Sequence, residues 1–360
     1  MESTALALTG RDALIAIGKL ANEYADGNTF EDFNKRKSAN TLTAYRGDLA
    51  SFAAYVSEAT GGAARLDAGE LQTTPDAWTG VTWGLVSGFN AWLLKNGASI
   101  GTINRKLAAV KVYAALAADA GALDGREAAH IASRIKGYSG KAAGNVDEER
   151  TKAGTPTRQG AKKAAHVKLE RDQVAALKTQ PDTPQGRRDA LLMCLLLDHG
   201  LRVGEVAILV IDGVVMAGKK PEKVGFNLTE GTFRFYRPKV DKVQTHRMTA
   251  DTLRALAAYL ESDASIPGAL LFRRSRKGGK LTDAGVTERN LSGRVRTLGQ
   301  RIGIENLSAH DCRHSWATRA VAGGTDAFAL RDAGGWSSLA MPSRYVEAAR
   351  IANEKVTLKR

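Results

Sequence analysis

Apolar residues recur at helical spacing along much of this chain. After Ser38, with Asn40 or Thr41 as the cap, Leu42, Tyr45, Leu49, Phe52, Ala53 and Val56 fall on one face and predict an amphipathic helix. Thr82 to Leu94 and Ser99 to Ala118 repeat the behaviour. In the latter, Ile103, Leu107, Val110 and Leu116 share a face while Arg105, Lys106 and Lys111 lie elsewhere. Helices are expected to dominate up to about Ile135, which makes 38–137 a helical domain. Ahead of it, residues 1–37 contain a short apolar stretch, Ala13 to Ala21, and predict a partly ordered arm or an extra helix.

Between Gly137 and Val167 the periodicity disappears. Gly, Ala, Lys and Thr take over, with Asp147-Glu148-Glu149 as a brief acidic interruption, and the stretch 138–168 reads as a basic inter-domain linker. Leu169 to Leu177 restarts a helix, and Asp189 to His199 is a strongly apolar one ending at Gly200. From Gly225 to Thr249 aromatic and β-branched residues alternate with polar ones around Arg237-Pro238-Lys239-Val240-Asp241-Lys242, which predicts strands about a turn. Helical patterns return over Thr249 to Leu260, Thr287 to Arg301, His310 to Ala322 and Asp326 to Ala333, and a helix-compatible tail starts at Val346. The predicted fold class is mainly α with a small antiparallel β-sheet in a C-terminal domain spanning 169–360.

A chain of 360 residues has room for two such domains. Its formal charge of +14 changes the picture, because so much like charge on one chain is most simply explained by a polyanionic partner. Nucleic acid is favoured over an anionic membrane. The longest apolar run, Ala190 to Leu197, is far short of the roughly 20 residues that span a bilayer. The N-terminus lacks the basic start and apolar block of a secretion signal, and Cys194 and Cys312 form no paired ligand pattern. A reduced, cytoplasmic setting without zinc is expected.

Taken singly, the candidate chemical residues are unremarkable. Arg202, with Glu205 three positions on, reads as a helix-end ion pair, and Lys239 and Lys242 read as solvated lysines on a hairpin tip. His310 and Arg313 share a helix face, Trp336 follows Gly334-Gly335 as a packing aromatic would, and Tyr345 reads as a half-buried tyrosine. Their order and spacing change this reading. Leu201-Arg202-Val203-Gly204-Glu205, a lysine-bearing hairpin, His310-Asp311-Cys312-Arg313-His314, Gly334-Gly335-Trp336 and Tyr345 together resemble the tyrosine recombinase and integrase family. The resemblance covers Leu169 to Arg360. It extends more loosely over Ser38 to Ile135, where Asn40 to Arg46 and Thr102 to Leu107 look like that family's core-binding domain. Two departures stand out: Trp336 replaces the histidine of many members, as in Cre-type enzymes, and the hairpin lacks the usual Gly-Lys-Gly turn, so Lys242 competes with Lys239 as the working lysine.

The resemblance implies site-specific DNA recombination in a two-domain, C-shaped clamp on double-stranded DNA, with no metal, nucleotide or other cofactor. Tyr345 would attack the scissile phosphate to give a 3′-phosphotyrosyl intermediate, Arg202 and Arg313 would hold the non-bridging oxygens, and Lys239 would protonate the leaving 5′-oxygen. His310 would orient or accept the tyrosine proton or donate to the phosphate, Trp336 would donate its indole N–H, and Glu205 would position Arg202 and a neighbouring cation. Arg46, Arg105, Lys106, Lys111, Lys141, Lys162 and Lys163 are expected DNA contacts, with Lys152 and Arg158 beside them. The tail would couple protomers in a homotetramer on paired sites. Two other readings stay open: relaxation of DNA in the manner of a type IB topoisomerase, and a non-catalytic DNA-binding protein that keeps the fold.

Overall fold

A computed structural model describes residues 10–158, 166–262 and 269–349. The chain divides into two compact units, Met1–Lys162 and Lys163–Arg360. In the first, α1 (Gly10–Lys35), α2 (Ala39–Ala59), the single turn α3 (Glu70–Thr73), α4 (Trp83–Lys95), α5 (Ile100–Asp119), α6 (Gly125–Arg134) and α7 (Gly140–Lys152) follow one another. The predicted apolar faces of α2, α4 and α5 meet in one core around Phe52, Trp78, Phe89 and Tyr113. Buried Trp78 keeps its indole N–H satisfied by donating to the Leu71 carbonyl at 2.9 Å.

The caps explain where these helices begin. Ser38, rather than Asn40 or Thr41, caps α2, because its hydroxyl accepts from the Thr41 N–H and leaves the other two inside the first turn. Thr82 and Ser99 cap α4 and α5 in the same way.

Two stretches carry more structure than their patterns predict. In the N-terminal arm, α1 buries Phe30 near its end against Tyr113, while Leu14, Ile15, Ile17 and Leu20 stay exposed, so no single stripe marks it as part of the unit. Within the predicted linker, α7 is held by a polar anchor. Buried Arg150 pairs with Asp147 at 2.8 Å and donates to the carbonyls of Ala98 and Pro156 at 3.0 and 2.7 Å. An arginine that satisfies peptide carbonyls leaves no hydrophobic periodicity to read.

The second unit opens with α8 (Arg171–Lys178) and α9 (Pro184–Asp198), whose Leu191 to Leu197 run is buried on every side. After the single turn α10 (Val203–Ala207) comes an antiparallel meander, β1 (Asp212–Ala217), β2 (Lys220–Asn227), β3 (Thr232–Arg237) and β4 (Lys242–Arg247), in that spatial order. The sequence marks β3 and β4. It misses β1, where Val214 and Met216 point to solvent, and the part of β2 ahead of Gly225, where the predicted strands begin. Arg237 pairs with Lys242 as the last register of the β3–β4 hairpin, leaving Pro238 to Asp241 as its tip. Beyond it lie α11 (Ala250–Ser262), the small hairpin β5 (Arg273–Ser275) and β6 (Leu281–Gly285), then α12 (Glu288–Arg301), α13 (Ala309–Ala322), α14 (Ala327–Gly334) and α15 (Ala340–Ala349). The tail falls outside the described residues beyond Ala349.

Two histidines sit in the core of this unit. His199 bonds Thr252 at 3.0 Å and meets Phe233 edge-on, and His246 lies against Phe233 and Phe235. Burial pushes the His199 pKa down to about 4. For His246, burial and then the neighbouring His199 push it down to about 3. Both folded values lie below the unfolded one, so the unfolded chain binds more protons on acidification. The stabilisation present above about pH 6.5 is therefore lost as pH falls toward 4 and 3. Thermal unfolding of this chain should drop by several degrees between pH 7 and 4.5, with a visibly shallower slope in His246→Phe, whose ring suits the same aromatic nest. An unchanged slope in that variant contradicts the assignment.

Candidate active site

The end of α9 and the start of α10 bring the first cation into place. Arg202 is the N-cap residue of α10, and Glu205 folds back to accept from the Arg202 backbone N–H at 2.8 Å and from its guanidinium at 2.9 Å. Glu205 is only 3% exposed, so its charge must be met inside the protein. A second arginine meets it: Arg237 at the end of β3, 1% exposed, donates to both Glu205 oxygens at 2.9 Å. The same guanidinium donates to the carbonyls of Gly334 and Ala333 at 3.1 and 2.7 Å and to Gln244. Glu205 thus bridges two arginines.

The carbonyls come from the end of α14, where two glycines are required. Gly335 ends the helix in the left-handed conformation, φ 61°, and a Cβ there would strike the Arg237 side chain; a Cβ on Gly334 would strike the Trp336 ring. This explains the Gly-Gly-Trp run physically.

Arg313 on α13 is 3% exposed and donates to the carbonyls of Gly200 and Gly334. Its guanidinium lies 4.2 Å from the centre of the Trp336 ring, which in turn stacks on Trp316 at 6.1 Å. Burial, then the like charge of Arg202, pulls the Arg313 pKa down to about 9, which keeps it charged at neutral pH.

Tyr345 projects from α15 with its ring 6.1 Å from Trp336. Its hydroxyl lies 2.7 Å from Nδ1 of His314, and the other nitrogen of that ring is 3.1 Å from Nε2 of His310. The imidazole in contact with the phenol is therefore His314. His310, which the resemblance implies would orient or accept the tyrosine proton or donate to the phosphate, touches His314. Burial and the neighbouring His166 and His310 push the His314 pKa down to about 4, so the ring is neutral and able to accept near pH 7. Burial raises the Tyr345 pKa while Arg313 opposes the rise.

Lys239 is exposed on the hairpin tip and lines a cavity of ≈ 660 Å³ together with Lys242, Arg237, Gln244 and Trp336. Both candidate lysines therefore face the same space. Of the predicted DNA contacts in the first unit, Arg46 is exposed and bonds Gln72 at 3.2 Å, and Lys141 is exposed in the first turn of α7. Arg105 is 54% exposed but pairs with buried Asp48 at 2.5 Å, and Lys106 bonds Ser51. Lys111 donates to the carbonyls of Ala132 and Ile135 at 2.9 and 2.8 Å, where it closes the end of α6. That placement uses its ammonium inside the unit and departs from the predicted phosphate contact. Lys162 and Lys163 fall outside the described residues.

Arg237 carries no motif signal and is the functional neighbour that the sequence leaves unassigned. Replacing it by glutamine leaves a desolvated carboxylate with one arginine partner instead of two, takes the Arg237 donor from the Ala333 carbonyl, and leaves the Gly334 carbonyl to Arg313 alone. Arg237→Gln should lower unfolding stability by roughly 3–5 kcal/mol in a urea titration. A loss under about 1 kcal/mol would remove Arg237 as the anchor of Glu205.

Residues 168–350 match the phage integrase family, and residues 32–121 match the N-terminal SAM-like domain of phage integrases. The chain is 26% identical over 317 residues to the tyrosine recombinase XerC of Mycobacterium tuberculosis (strain ATCC 25177 / H37Ra), covering 87% of this chain and 89% of that one. It is 32% identical over 183 residues to the tyrosine recombinase XerA of Thermococcus kodakarensis, covering 49% and 57%. Its fold is similar to that of the Tn1549 transposon integrase solved in complex with circular intermediate DNA, at a TM-score of 0.55 with 14% identity over 93% of this chain and 99% of that one. It is likewise similar to the XerH site-specific recombinase bound to difH, at 0.51 with 17% identity over 97% and 90%. With the family match alone spanning just over half of its length, this chain belongs to the phage integrase family.

Proposed function

We propose that this chain is a site-specific tyrosine recombinase that cuts and rejoins double-stranded DNA through a 3′-phosphotyrosyl intermediate. One observation carries the reading: a phenol, a neutral imidazole and two guanidiniums from distant parts of the sequence lie in one place, with Tyr345 Oη 2.7 Å from His314 and Arg313 stacked on the Trp336 that flanks the phenol.

The chemistry runs as follows. A phosphodiester carries its charge on two non-bridging oxygens, and a guanidinium has five N–H donors in one plane. Arg202 and Arg313 use some of theirs on Glu205 and peptide carbonyls, which fixes the forks, and the remaining donors meet the phosphate. The Tyr345 proton passes to His314 Nδ1 as the phenolic oxygen bonds to phosphorus, and the 5′-oxygen leaves with a proton from Lys239. His310 backs His314, and Trp336 donates its indole N–H to a phosphate oxygen. The bond energy stays in the phosphotyrosyl ester, so resealing is the same step reversed and no nucleotide is consumed.

DNA binding by the first unit rests on Arg46 and Lys141 and on the outer face of Arg105. The chain acts as a homotetramer on two paired sites. No described helix is long and apolar enough to cross a membrane, and a cytoplasmic, DNA-associated setting fits the net charge of +14.

Tyr345→Phe should bind its site normally yet give no covalent adduct on a nicked duplex, as read by denaturing gel electrophoresis; an adduct of ordinary yield removes Tyr345 as nucleophile. A duplex with sulfur at the 5′-bridging position needs no leaving-group proton. Lys239→Ala should recover cleavage on it and Lys242→Ala should not, whereas the reverse pattern moves the acid to Lys242.

A further inference from the structure

Beyond the groups that hold the phosphate, a third imidazole stands at the nucleophile. His166, just ahead of α8, stacks on His314 with ring centres 3.5 Å apart and lies 5.2 Å from the His310 ring. One nitrogen from each of His166, His310 and His314 falls within 4.8 Å of the other two. The steps above give His166 no task.

We propose that His166, His310 and His314 form an inhibitory binding site for a divalent late transition metal, zinc above all, that closes the active site by occupying the imidazoles beside Tyr345. The inference rests on the reading of Tyr345 as the nucleophile. Two facts support it. First, tetrahedral zinc with nitrogen ligands at about 2.05 Å places those nitrogens about 3.3 Å apart, and the His310–His314 pair already stands at 3.1 Å. Second, His166 is 51% exposed, so a solvated ion can reach its ring, and its Nδ1 lies 3.5 Å from buried Asp311, the carboxylate partner that orients a ligating histidine. The Asp311 carboxylate also accepts from the Val167 N–H at 3.0 Å, which ties this segment to the start of α13.

Imidazole nitrogen suits zinc, copper and nickel, whereas magnesium and calcium prefer oxygen and find none offered by this set. A bound metal would tie up the Nε2 edge of His314, 3.4 Å from the Tyr345 hydroxyl, and replace its contact with His310. Strand cleavage would then respond to free zinc. Buried Cys194 does not compete as a ligand, since burial pushes its thiol up to about 12.

The test uses the untagged full chain. Isothermal calorimetry with zinc chloride at pH 7.5 should show one metal per chain, weakened at least about tenfold in His166→Asn. On a nicked duplex, zinc should slow adduct formation at least about tenfold in the parent protein and leave His166→Asn near its own metal-free rate, with EDTA restoring the parent. Absent binding, binding equal in the variant, binding without inhibition, or inhibition equal in the variant each overturns the inference. Failure to form any adduct without metal instead overturns the reading of Tyr345, and calorimetry still reports on the metal site.

Discussion

A carboxylate withdrawn from water inside a cluster of arginines is the constraint on which this catalytic unit depends. Glu205 is buried, and removing such a charge from solvent costs several kcal/mol unless fixed partners replace the lost hydration. Arg202 and Arg237 replace it, and both arginines are in turn held by carbonyls at the end of α14. Arg313 joins them through Gly334. Among the described residues, three guanidiniums against one carboxylate leave an excess of positive charge. A phosphodiester is a fitting counter-charge, and the forks that meet it are already immobile, so little reorganisation remains for the reaction itself.

The same economy governs the proton. Burial, then the neighbouring imidazoles and arginines, makes protonation of His310 and His314 unfavourable, which keeps His314 available as an acceptor for a phenol whose own pKa burial has raised. Arginine and histidine thus act on opposite halves of one step. The arginines stabilise charge on the phosphate while their field discourages charge on the rings.

What could be read from sequence follows the physics of each feature. Amphipathic helices are legible because burial repeats every 3.6 residues, and α2, α4, α5 and α13 were plain on that basis. Helix α7 was not, since Arg150 anchors it through carbonyls, and β1 was not, since Val214 and Met216 face outward. The spaced set from Arg202 to Tyr345 was legible as a pattern. Its supports were hidden. Arg237 looks like any arginine at a hairpin, and only the fold reveals its Glu205 contact. His314 sits inside a visible motif, yet its contact with the tyrosine depends on how α15 crosses α13. Lys111 looked like a surface cation because the end of α6 that it closes is local only in space.

The most direct measurement is a crystal structure of the protein with DNA and vanadate, which adopts the five-coordinate geometry of phosphoryl transfer. The account predicts vanadium bonded to Tyr345 Oη opposite the 5′-oxygen, with Arg202 and Arg313 on its equatorial oxygens and Glu205 still bridging Arg202 and Arg237. Vanadate held without Tyr345 as an axial ligand, or with either arginine turned away from it, would contradict the account.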